Sequence, residues 1–394
     1  MIINLDRVPF VKNNLVVDWF DLRNLTSHEY YSHYYYITEK SEYCEQHDVY
    51  LMLMDIIHLH YDLNIIVPNE IVDRLKNKEI LLCLDYLGEA MPHIVGEIYR
   101  HLVDRQGIPP SQIILVQNST KIKEHIERYC NTHNKEPIKY EVFYLWEKII
   151  QRSLLIETNL DTGYNKHVAP KIKSPLHNTS FNKKFLFLNR IWRRHRTMML
   201  MLLNDNDLLK YSHTSFHNMS SWESHMDNVL DKFSAFEDVV SRNKYLGNQL
   251  PMVLDTHMFE GSLLHFRRSM MKYYNDTYFS LVTETGYENG LPFHPTEKTF
   301  KPILHKHPFV ILTMPHYLKN LRDMGYRTFD GIIDENYDNI EDDDERMLAE
   351  LAEVKRLCNL NEDELTDFKN KSLEIVEYNF NVLMSKESFL TKIL

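Results

Sequence analysis

Short, unbroken apolar runs recur along this chain, and most are followed by residues at helical spacing. Glu79-Ile80-Leu81-Leu82-Cys83-Leu84-Asp85, Gln112-Ile113-Ile114-Leu115-Val116-Gln117 and Tyr140-Glu141-Val142-Phe143-Tyr144-Leu145 lie in the first half. Phe185-Leu186-Phe187-Leu188-Asn189, Tyr278-Phe279-Ser280-Leu281-Val282 and residues 309–313 lie in the second. Runs this short read as strands buried on both faces, the kind that parallel sheets require. The intervening segments 92–106, 120–130, 196–203 and 221–242 read as helices, and 316–324, 345–358 and 362–378 follow the last strand. Strands alternating with helices of this length build βαβ units. Asn361 followed by Glu364 is a capping box.

The rhythm breaks at residues 163–181, GYNKHVAPKIKSPLHNTSF, where two prolines and mixed polar residues read as a linker. The expected architecture is therefore α/β, with two Rossmann-like doubly wound domains facing across a cleft. One domain spans 1–165, a linker 166–182, the second domain 183–375, and a tail 376–394 packs back on the first. In such folds ligands bind beyond the carboxyl ends of the strands, so the informative residues should follow strands.

Composition removes several classes. The chain has only 10 glycines and neither GxGxxG nor GxxxxGK[ST], so a bound phosphate needs side chains and helix N-termini. Four dispersed cysteines without a CxxC read as reduced thiols, not a zinc site or a disulfide framework. No apolar run is long enough for a membrane span, and the first residues do not read as a signal peptide. A cytoplasmic protein is expected. The net charge of −11 argues against bulk attraction to nucleic acid. Yet Thr162 to Asn204 contains no acid and carries Lys166, Lys171, Lys173, Lys183, Lys184, Arg190, Arg193, Arg194 and Arg196. That span reads as a local surface for a polyanion.

Two constellations follow strands. In FLFLNRIWRRHR, residues 185–196, arginines come directly after a buried run and before a helix, where dipole and guanidinium both favour phosphate. In SLVTETGYENGLPFHPTEKTFKP, residues 280–302, Glu284, Glu297, Lys298 and Lys301 follow another run. Pro302 would break the interior of a helix begun at Glu297. Thr299 is therefore the expected N-cap, with Glu297 and Lys298 just ahead of the helix and facing the cleft. In the first half, Asp85 and Glu89 of LDYLGEAMPH follow a strand, and either reads as a candidate general base for an inverting transfer or as a capping or turn residue. NDND, residues 204–207, follows a helix and reads as its end, not as a metal-binding DxD; no metal site is expected.

TEKTFKPILHKHPFVIL with LKNLRDMGYRTFDGIIDENYD resembles the donor-binding domain of a GT-B glycosyltransferase family that includes bacteriophage and large-virus proteins. The TEK element is also similar to the nucleotide-sugar motif of α1,3-fucosyltransferases, and FLFLNRIWRRHR to the family's strand-plus-arginine element. The resemblance covers roughly residues 183–340. It implies a glycosyltransferase whose substrate is a nucleotide-sugar donor and which requires no separate cofactor. It further implies that Glu297 binds ribose, that Lys298 binds phosphate, that Arg190 and Arg194 clamp the diphosphate, and that Glu284 is an acid facing the donor. Trp192 stands where the family pattern has a small or proline-like residue. The family's occurrence in phages suggests a hydroxymethylated cytosine in double-stranded DNA as the acceptor, with a protein, glycan or lipid acceptor, or a non-catalytic nucleotide-binding protein of the same fold, as the alternatives.

Overall fold

The computed structural model describes residues 48–53, 67, 69–86, 94–142, 172–217, 221–254 and 270–385, with isolated positions between 144 and 150. The chain divides into two compact units, one built on residues up to Lys148 with Pro292–His294 and Glu387–Leu394, the other on Ile149–Leu291 with Pro295–Lys386.

In the first unit, β1 (Asp48–Leu53), β2 (Ile80–Tyr86), β3 (Ile113–Gln117) and β4 (Lys139–Val142) form a parallel sheet in chain order. The crossovers carry α1 (Asn69–Lys76), α2 (Ile94–Ile98, continued as a π-helical stretch through Arg105) and α3 (Ile122–His133). Every crossover advances in the same direction, so right-handed connections place all three helices on one face. Leu82, Leu84, Ile113 and Leu115 pack there against Leu75, Ile98 and Ile126. Asp85 lies in β2, in register with Leu53 and Val116. Glu89 is outside the described residues.

The second unit holds β5 (Phe185–Asn189), β6 (Ser212–Phe216), β7 (Phe279–Thr283) and β8 (Phe309–Leu312), all parallel, in the order β6-β5-β7-β8. The helices are α4 (Arg194–Asp205), α5 (Trp222–Lys232), α6 (Glu237–Asn243), α7 (Glu297–Leu304), α8 (Tyr317–Asp323), α9 (Asp343–Cys358) and α10 (Glu362–Ser385). The chain leaves β5 toward β6 but leaves β7 toward β8. With right-handed connections α4 and α7 fall on opposite faces, and the reversal opens a crevice between the carboxyl ends of β5 and β7. The described strands of the first unit contain no such reversal.

Several expectations change. The single helix expected over 221–242 is two, α5 and α6, joined by a 3₁₀ turn at Ser234–Phe236. Residues 172–182 of the expected linker pack on the second unit: Ser174 Oγ donates to Lys306 O at 2.9 Å, and Asn182 donates to Asp276. Residues 376–385 continue α10 and are not a separate tail. The capping box is present, with Asn361 and Glu364 each donating its backbone amide to the other's side chain.

Candidate functional site at the ends of β5 and β7

At the crevice, Thr283 Oγ1 donates to Asn189 Oδ1 at 2.5 Å, joining the last residues of β7 and β5. Asn189 Nδ2 is buried and has no partner. Arg190 opens the turn toward α4. Trp192 anchors that turn: its Nε1 donates to His217 O at 2.5 Å, and its ring packs on Trp222 and His225. With the indole fixed inward, the neighbouring arginines separate. Arg190 stays half-buried, while Arg193 and Arg194 are exposed.

Arg194, expected to clamp a diphosphate, donates instead to Glu288 Oε1 at 2.7 Å on the surface. The inward arginine is Arg196. Its guanidinium donates to Ile191 O, Thr283 O and Glu284 O, while Nε is buried without a partner. Burial, with Arg193 adding to it, lowers its pKa to about 10. Beside it, His195 Nε2 lies 2.9 Å from Glu284 O and the ring stacks on Tyr287. Burial holds this imidazole well below its usual range, so it is neutral and Nε2 donates. Arg346 donates to Tyr287 O at 2.6 Å and lies over the Tyr287 ring, fixing the loop after β7.

Glu284 does not face open space. Its carboxylate accepts six hydrogen bonds, from the Thr285 amide, from the amide and hydroxyl of both Thr296 and Thr299, and from Tyr317 OH. This buried carboxylate sits where the first turn of α7 leaves its amides unsatisfied, and it complements the helix dipole. It also moves the helix start. The N-cap is Thr296, whose side chain accepts from Lys298 N, and not the expected Thr299. Pro302 consequently lies inside α7. The helix tolerates it because the Glu284 clamp holds one end, and His305 N and His307 N bond back to Lys301 O and Pro302 O at the other.

Glu297 and Lys298 are thus in the first turn of α7. Lys298 Nζ donates to Glu297 Oε1 at 2.8 Å and to Thr296 Oγ1 at 3.3 Å. Burial would raise the Glu297 pKa, but Lys298 and Lys301 outweigh it and hold the carboxyl at about 2. Burial lowers the Lys301 pKa; Glu297 opposes this, and Lys298 and Arg190 push it down further. The second-unit crevice therefore gathers Lys298 and Lys301 against ionised Glu297, with Arg190 and Glu284 acting on Lys301 from further away. Lys298 and Arg190 disfavour the charge on Lys301, and an anion beside it would relieve that repulsion. Lys298, Lys301 and Pro302 line a small pocket of about 60 Å³ together with Leu188, Tyr274 and Thr283.

The described residues of the acid-free span do not form one patch, and Lys166 and Lys171 lie outside the described residues. Lys183 and Lys184 lie at the amino end of β5 and donate to Lys210 O and Leu360 O, whereas Arg190 to Arg196 lie at its carboxyl end. Asp205 of NDND pairs with Arg242 at 2.8 Å and Asp207 pairs with Lys210. Among the described residues no cluster of histidine, cysteine or acidic side chains has the geometry to hold a metal ion, and no helix is long and apolar enough to cross a membrane. Sequence reasoning missed Asn189 and Arg196. The signal available for both was their position immediately before and after the basic turn.

By sequence, no protein-family profile and no curated protein matches the chain. Among solved structures it is similar to an alpha,alpha-trehalose-phosphate synthase (UDP-forming) from Burkholderia vietnamiensis, with a TM-score of 0.38 and 10% identity over 82% of this chain and 68% of that one.

Proposed function

We propose that this protein is a glycosyltransferase that takes a nucleotide-sugar donor in the crevice between β5 and β7. The observation that carries the reading is the grouping of Lys298 and Lys301 against half-buried, ionised Glu297, with the Arg190 charge felt at Lys301, at a topological switch point. The resemblance of the TEK and strand-plus-arginine elements to GT-B enzymes supports it. Lys298 and Lys301 would neutralise the charge that grows on the departing diphosphate, with no metal required. Glu297, held as a carboxylate, would accept the hydroxyl protons of the ribose. Arg190 would hold a phosphate from the β5 side.

On this reading the acceptor contributes a hydroxyl; an inverting transfer would need a general base for its proton, the role for which Asp85 and Glu89 are the sequence candidates, and a retaining transfer would not. A hydroxymethylated cytosine in DNA follows from the resemblance to phage proteins alone, and the division of the basic span between two ends of β5 weighs against an extended backbone contact. Duplex retention at low salt, lost steeply as salt rises, would support that acceptor; no retention at low salt removes it.

A panel of UDP-, GDP- and dTDP-sugars, scored by thermal shift and then by sugar transfer or donor hydrolysis, tests the proposal. One donor should raise the unfolding midpoint by mass action, and Lys298→Ala should abolish the rise and the turnover. Full transfer by Lys298→Ala would refute it. Binding of a nucleoside diphosphate without any hydrolysis or transfer would make the chain a nucleotide-binding protein instead.

A further inference from the structure

In the first unit, Asn118 follows β3 and is fully buried, and neither its Oδ1 nor its Nδ2 has a hydrogen-bond partner. An interior amide unpaired at both ends is costly, and native proteins almost always satisfy such groups. Its neighbour Ser119 is already committed: its Oγ accepts from Lys121 N at 3.2 Å and its carbonyl from Ile122 N at 3.4 Å. Asn118 lies at the carboxyl edge of the parallel sheet, in the turn into the 12-residue α3. The N-cap of that helix, Lys121, provides no side-chain cap; the positive end of the helix dipole lies at the same turn, where Ser119 already takes up the Lys121 and Ile122 amides.

We propose that Asn118 and the first turn of α3 bind a vicinal diol, the paired hydroxyls of a sugar or polyol. A carboxamide places one acceptor beside one donor. An anion would satisfy Nδ2 and the helix amides but would set its charge against Oδ1. A cation would do the reverse. Two adjacent hydroxyls satisfy both halves: one gives its proton to Oδ1, the other offers an oxygen lone pair to Nδ2, and an oxygen remains for the helix terminus. The inference concerns the unit without the cationic crevice and does not depend on the donor reading.

The test uses the full chain, with methyl α-glucopyranoside and inorganic phosphate as separate probes, in the parent and in Asn118→Leu. The glucoside should shift the Asn118 side-chain amide and the backbone amides of the turn into α3 saturably, and its affinity, read in both chains from those backbone amides, should fall at least tenfold in Asn118→Leu. Without a probe, Asn118→Leu should unfold at the same temperature as the parent or higher, because it removes an unsatisfied amide. Non-saturable or equal responses in both chains would be general polyol exclusion and would overturn the site. A saturable response to phosphate but not glucoside would overturn the diol. A lower unfolding temperature for Asn118→Leu without probe would show a buried water or structural partner, and would also overturn it. If the variant does not fold, the parent resonances alone decide: saturable shifts with glucoside support the site, and their absence overturns it.

Discussion

Glu284 and Thr299 meet twice: the Thr299 amide and hydroxyl both donate to Glu284 Oε1, at 3.2 and 2.6 Å. The loop after β7 is thereby bolted to α7, and the acid is committed to holding a helix. Glu284→Gln replaces one acceptor with a donor facing Thr296 or Thr299. It should destabilise the protein by about 3 kcal/mol, read as a lower urea midpoint without ligand. An unchanged midpoint would release Glu284 from this role and return it to the chemistry.

Lys301 is half-buried, and its amine is easier to deprotonate than an ordinary lysine because burial lowers its pKa and Lys298 and Arg190 add to the effect. Lys301→Met should weaken a nucleoside diphosphate by about tenfold or more and should also lower the unfolding midpoint, since Glu297 keeps its charge and loses one of the two lysines that hold it. In the parent, affinity should fall as pH rises through the lowered Lys301 pKa, and in Lys301→Met that alkaline limb should disappear. Calorimetric titrations across pH measure both. Equal alkaline limbs would assign the loss to another group.

What the chain discloses in advance follows from what is local. Ile113–Gln117 and Phe185–Asn189 are legible as strands because both faces are covered and every residue is apolar or terminal. The Asn361–Glu364 box is visible because both partners lie within one turn. The edge strand Ser212–Phe216, SHTSF, is not visible: burial on an edge is partial, and its serines and threonine satisfy turn patterns equally well. The α7 cap is misread from sequence for a different reason. Local rules steer a proline away from a helix interior, and the carboxylate that overrides them lies twelve residues before Thr296, at the end of another strand. Likewise, four arginines in one turn look equivalent until Trp192 is buried, which fixes Arg196 inward and turns Arg194 to the surface. The crevice itself is foreseeable from the order of elements, but which side chains fill it depends on these long-range contacts.

His307 is a buried neutral imidazole. Nε2 donates to Thr277 O at 2.8 Å, and Nδ1 accepts from Ser280 Oγ at 2.9 Å. Burial lowers its pKa to about 4, against a usual 6.5. Between those values the unfolded chain binds a proton that the folded chain does not, so stability rises with pH across that window and is lost as pH falls from about 6.5 toward 4. The expected loss is on the order of 3 kcal/mol. Urea unfolding at several pH values should show this slope in the parent and a flatter one in His307→Gln. The same slope in both chains would place the titration elsewhere.

Gly247 sits against an indole. A Cβ built there would lie 2.5 Å from Trp222 Cδ1 and 2.8 Å from its Nε1. That ring cannot yield freely, because Nε1 donates to Lys244 O at 2.9 Å and the ring packs edge-on to Trp192. Gly247→Ala should therefore cost about 1–3 kcal/mol by overpacking, although alanine ordinarily favours order over glycine. The strain should pass through Trp222 to Trp192, the residue that sets which arginines face the crevice. A lower urea midpoint, a shift in tryptophan emission and weaker donor binding should appear together. A lower midpoint with unchanged donor affinity would uncouple the indole pair from the arginine turn.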